Sequence, residues 1–152
     1  VTVDVGPCRI LFVDNGNYSR SPAAEIIADH KAAERNASDR LVFSSAGVIG
    51  KHVGGPADPR TVKECARRGY DLSGFICRQA NPSVFGEFDR ILAMDAQNLA
   101  VFTLARREGD KAVVEPFDPD QEIPDPFYDG DGAFVRVIDM IEARIESLLS
   151  RH

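Results

Sequence analysis

At 152 residues, with 43% hydrophobic and 28% charged residues, the chain has the size and balance of a single globular domain spanning 1–152. Its net charge of -6, with basic residues scattered apart from the pairs Arg67-Arg68 and Arg106-Arg107, argues against nucleic acid as a partner. No apolar run approaches the roughly 18 residues of a membrane span, and Val1-Thr2-Val3-Asp4 carries acid where a secretory leader carries base, so no membrane contact and a cytoplasmic location are expected.

The first strand is expected over residues 9–13, where Ile10-Leu11-Phe12-Val13 is a continuous apolar run of the kind buried on both faces of a parallel sheet. A Gly- and Asn-containing loop follows, then Ser21 as a helix cap and Pro22 as a first helical position. Strand, loop and helix N-terminus in that order aim backbone N–H groups at an anion. The sequence therefore predicts a phosphate loop made of Asn15, Gly16, Asn17, Tyr18, Ser19, Arg20 and Ser21. Arg20 adds a planar fork of donors, which would either clamp an oxyanion or pair with Asp14 in the same loop.

Further strands are expected over residues 41–45, 90–93 and 112–115, the first strand being central. Further helices are expected to start at Pro59 behind Asp58, at Ala96 behind Asp95, and near Gly132. The last carries Phe134, Ile138, Ile141, Ile145 and Leu148 at steps of four and three, one buried stripe. The alternation reads as α/β, with two long Gly-, Pro- and Asp-rich connections at 47–58 and 117–131 placed to build a site. Cys8, Cys65 and Cys77 are odd in number and lack C-x-x-C spacing, which fits buried free thiols in a reducing compartment. His30 and His52 have no partner at ligand spacing, so neither a metal nor a cofactor is expected.

The stretch from Val13 to Pro22 resembles the loop of the low-molecular-weight protein tyrosine phosphatases, approximately V-C-x-G-N-x-C-R-S-P. Gly16, Asn17, Arg20, Ser21 and Pro22 match, whereas Asp14 and Ser19 stand where that family has cysteines. Ser45-Ala46-Gly47, His52-Val53-Gly54, Pro56-Ala57-Asp58-Pro59-Arg60, Arg78-Gln79, the run from Phe88 to Asp95, Asn98-Leu99 and Pro124-Asp125-Pro126-Phe127-Tyr128 look like further landmarks in family order.

The resemblance implies a three-layer fold, a four-stranded parallel sheet with helices on both faces. It puts Asp14 at the nucleophile position, Arg20 on the phosphoryl group and Asp125 at the general-acid position, with Lys51, Phe127 and Tyr128 as pocket wall. Tyr18 reads equally as packing beside the loop or as an aromatic gate. A carboxylate at the nucleophile position predicts a pseudophosphatase, a binding or regulatory module for a phosphotyrosine protein or another signalling protein. Its two oxygens would compete for the N–H groups that a transition state needs, and the anion-stabilising loop is expected to lower the pKa of Asp14. The alternative is a weak phosphatase using Asp14 or an activated water, with Arg20 and Asp125. Phe75 stands where many members carry a histidine bracing the loop asparagine, so Asn17 is expected to lose a partner, leaving Ser21 and Ser45 as braces.

Overall fold

The computed structural model describes residues 6–152; the N-terminal stretch read for a leader lies outside them. Nine elements follow in chain order: β1 (Cys8–Asp14), α1 (Arg20–Glu34), β2 (Leu41–Gly47), α2 (Pro59–Arg67), α3 (Val84–Glu87), β3 (Arg90–Ala93), α4 (Ala96–Ala105), β4 (Val113–Pro116) and α5 (Asp131–Leu149). The sheet is parallel throughout, in the order β2-β1-β3-β4, so β1 is interior as its apolar run requires.

Successive β1 side chains face opposite sides, which divides the interior in two. Ile10 and Phe12 join α1, α5 and Cys65 of α2 on one face; Leu11 and Val13 join Val84, Phe85, Phe88 and Phe102 on the other. The predicted stripe of α5 is buried over its full length. Cys65 and Cys77 are buried and all three cysteines are free thiols. Among the described residues no helix is long and apolar enough to cross a membrane.

Four elements differ in their bounds from the sequence reading, β1 by one residue at each end. β2 runs two residues further, to Gly47, and the fourth strand sits one residue later than predicted. The four-residue α3 carries no readable period and has no counterpart in the prediction. Most informative is α1, which begins at Arg20 behind Ser19, not at Pro22 behind Ser21. The Ser19 carbonyl accepts from Ala23 N at 3.2 Å, so the first turn closes two residues earlier. That shift leaves the Ser21 N–H as an unsatisfied donor of a helix start, pointing back toward the end of β1.

Candidate active site

Asp14 meets that donor. Its Oδ2 accepts from Ser21 N at 2.8 Å and its Oδ1 from Asn17 N at 2.7 Å, in a side chain only 2% exposed. Asp14 thus caps α1 from outside the helix, where the positive end of the helix dipole favours an anion. Ser19, at the formal cap position, makes no capping bond and instead shares a 2.7 Å hydrogen bond with Thr61 Oγ1 on α2.

The loop between them is fixed by Asn17. Its φ of +55° is a left-handed conformation that an L-residue adopts only at some cost, tolerated best by Asn, Asp and Gly. The fully buried side chain holds it there: Nδ2 donates to Ser21 Oγ at 2.9 Å and Ser45 Oγ at 3.0 Å, while Oδ1 accepts from Arg78 N at 2.8 Å. Ser45 in turn donates to Glu25 Oε1 at 2.8 Å. With Phe75 in place, Asn17 is thus held by the Ser21 and Ser45 hydroxyls expected as braces and by one further bond. The Arg78 backbone supplies the third bond, a brace that no side-chain motif signals, while half-buried Phe75 packs against the core.

The loop also touches the end of β2. A Cβ at Gly47 would lie 2.6 Å from both Asn17 N and Gly16 C, closer than real contacts allow, and both are backbone atoms. Gly47→Ala is therefore expected to cost about 1–3 kcal/mol by forcing the loop away from the sheet, read as a lower urea midpoint.

Arg20 is 1% exposed but does not pair with Asp14, in contrast to one of the two roles its sequence position suggested. Nη1 donates to Asp95 Oδ2 at 2.7 Å and to the Ile123 carbonyl at 2.8 Å, and Nη2 lies 3.7 Å from Asp125 Oδ2. Asp95 was legible only as the cap of α4, which it also is, accepting from Asn98 N at 2.9 Å. One carboxylate does both jobs because β3 ends beside β1, and Ile123 N bonding to Met94 O at 2.9 Å brings the long 117–131 connection alongside.

The pKa of Asp14 also departs from expectation. Loss of hydration on full burial pushes its carboxyl up; the nearby Arg20 charge and the Ser21 and Asn17 amides oppose that push without reversing it. Desolvation wins because the seat lies under both the loop and the start of α1.

Above this floor lies a cavity of about 160 Å³. The two long connections form its walls: the first is tied to the loop by Ile49 N donating to Asn15 O at 2.8 Å and Asp58 N to Tyr18 O at 2.8 Å, the second by its Ile123 carbonyl accepting from Arg20 Nη1 at 2.8 Å. Asp14, Asn15, Gly16, Tyr18, Ser19 and Arg20 line it, together with Lys51, Asp125, Phe127 and Tyr128. Buried Asn17 and Ser21 support the loop from behind. Tyr18 stacks on His52 with ring centroids 3.7 Å apart and planes 8° from parallel. It also lies 6.0 Å from Phe127, which meets Tyr128 edge-on at 4.8 Å. His52 was read from sequence as part of a family landmark and as a histidine without a partner at ligand spacing; its ring partner, Tyr18, lies on a different loop. The Asp125 side chain is 41% exposed and accepts from Phe127 N at 3.1 Å, a turn that holds the aromatic pair over the cavity.

Comparison with known proteins places this geometry among relatives. A family model described as low molecular weight phosphotyrosine protein phosphatase matches residues 9–151. A low molecular weight protein-tyrosine-phosphatase of Streptomyces coelicolor is 36% identical, with 93% of this chain and 92% of that protein covered. A Bacillus subtilis protein of the same description is 32% identical, with 93% of each covered. The crystal structure of a protein tyrosine phosphatase from Entamoeba histolytica, with Hepes in its active site, superposes with a TM-score of 0.88 at 33% identity, covering 95% of this chain and 96% of that one.

Proposed function

The chain belongs to the low molecular weight phosphotyrosine protein phosphatase family, and from that premise we propose that it is a pseudophosphatase, a binding or regulatory module whose Asp14 occupies the nucleophile's seat. The observation that carries the reading is the use both Asp14 oxygens make of the loop: each already accepts a backbone N–H, from Ser21 and from Asn17. A phosphoryl group entering this loop would compete with a covalently tethered anion for those donors, and donors aimed at developing charge are usually the largest contribution to such catalysis. Occupancy of these donors, and not weak basicity, is what disables Asp14, because burial raises the carboxyl's pKa.

What remains for function is the face above the loop. Tyr18, Lys51, Phe127 and Tyr128 present three aromatic rings and a cation around a cavity, with Tyr128 92% exposed. Solvent-facing aromatic residues at a cavity mouth are typical anchors of protein recognition. The partner class is a signalling protein, and the three free thiols suit a reducing compartment.

The purified chain is expected to release phosphate from p-nitrophenyl phosphate no faster than a heat-inactivated control. Release above the control, abolished by Asp14→Asn, would replace this reading with a carboxylate-driven phosphatase in which Arg20 and Asp125 take part.

A further inference from the structure

The electrostatics of the cavity differ from those of an anion receptor. Arg20 is the one guanidinium at its floor, and carboxylates surround it: Asp95 at 2.7 Å, Asp125 at 3.7 Å, and Asp14 close enough for its charge to be felt. One of its nitrogens is already committed to Asp95 and the Ile123 carbonyl. The two loop amides that reach Asp14 are taken. An incoming dianion thus meets a guanidinium already shared with two carboxylates and two loop amides already taken, so the pull of Arg20 on it is offset by neighbouring acids in a cleft where screening is weak.

A cation meets the opposite. Asp125 is 41% exposed and holds Arg20 only loosely, so it keeps lone pairs open to the cavity. The walls are the faces and edges of Tyr18, Phe127 and Tyr128, whose ring quadrupoles attract positive charge. The chain's own cations use this property: Lys51 Nζ lies 5.7 Å and the Arg60 guanidinium 5.5 Å from the Phe127 centroid. The overall charge of -6 adds a long-range field of the same sign.

We propose that this cavity receives a cationic side chain, a guanidinium foremost, presented by a partner protein, with Asp125 as its counter-ion and Tyr18, Phe127 and Tyr128 as its walls. This rests on the pseudophosphatase reading and narrows its partner. A planar guanidinium both stacks on rings and donates to a carboxylate, which suits it better than an ammonium to a site with one acid and aromatic walls. Lys51 at the rim is a competitor, since it places like charge beside the guest.

The test is a titration of the ¹⁵N-labelled chain at low salt with benzylguanidine and, separately, benzylphosphonate, followed by amide shifts. Benzylguanidine is expected to move the amides of Gly16, Tyr18, Lys51, Phe127 and Tyr128. Asp125→Asn should weaken its binding about three- to fivefold and Lys51→Ala strengthen it about twofold, the scale of solvent-touched ion pairs. A dianion receptor gives the opposite sign for both variants, which separates the two without relying on one substitution. Benzylphosphonate binding as tightly as benzylguanidine, or benzylguanidine moving none of these amides, overturns the inference. If either occurs with no turnover of p-nitrophenyl phosphate, the cation site alone is wrong and the pseudophosphatase stands. If turnover is present, the underlying reading has failed first.

Discussion

Asp14→Cys is expected to create phosphatase activity, with p-nitrophenyl phosphate turnover rising at least about a hundredfold over the background of the natural chain. The expectation follows from what the substitution frees. Removing the carboxylate releases the Ser21 and Asn17 amides, and one well-aimed donor of this kind is worth on the order of 10² to 10³ in rate. A thiol in the same seat would sit at a helix N-terminus near Arg20, the setting that lowers a thiol's pKa and makes it nucleophilic. The other parts are already placed: Arg20 is fixed by Asp95, Asp125 lies 3.7 Å from it, and Asn17 keeps the loop closed through three bonds. Adding Asp125→Asn to the Cys variant should then lower kcat by about 10² to 10⁴, the usual contribution of a general acid. An Asp14→Cys variant that folds but stays silent would mean that the site differs from an active one in more than its nucleophile, with Lys51 at the rim the first suspect.

The contrast between what could and could not be read in the sequence has a physical origin. β1, the stripe of α5 and the caps Asp58 and Asp95 were legible because each is written in neighbouring residues: an unbroken apolar run, a helical period, a short acid beside a helix start. The strand–loop–helix order of the phosphate loop was legible for the same reason. Illegible were the bonds that only tertiary structure creates. Arg20 reaches Asp95 across 75 positions and Ile123 across 103, while the Arg78 amide meets Asn17 across 61. The start of α1 was misplaced because Ser21-Pro22 has the form of a local cap, whereas the actual cap is Asp14, seven residues before the amide it holds. A sequence window cannot distinguish a serine that caps a helix from one that lies inside it when the capping group arrives from the strand.

Arg20→Met is expected to be the most destabilising single change at the site, by about 3–5 kcal/mol near neutral pH. Methionine retains much of the aliphatic stem, so the cost is electrostatic rather than a cavity. With the guanidinium gone, Asp95 has solvent to turn to and Asp125 is exposed, but Asp14 stays fully buried with only two amides in compensation. Against total stabilities of roughly 5–15 kcal/mol this loss is a large fraction. It also predicts a sign for the pH dependence. Burial already raises the Asp14 carboxyl above its ordinary value, and the Arg20 charge is the main influence holding it down, so removing Arg20 raises it further. Over the interval between the ordinary carboxyl value and that raised one, the folded state binds a proton that the unfolded chain has released, so stability falls as pH rises through it. Urea midpoints of Arg20→Met should therefore recover as pH is lowered from neutral toward 5, by more than those of the natural chain. Asp14→Asn placed on the same background should recover part of the loss at neutral pH, because an uncharged amide no longer requires a cation beside it, and the two substitutions should be strongly non-additive. Equal losses across that pH range, or simple additivity of the pair, would show that Arg20 stabilises the site through packing and not by holding Asp14 ionised.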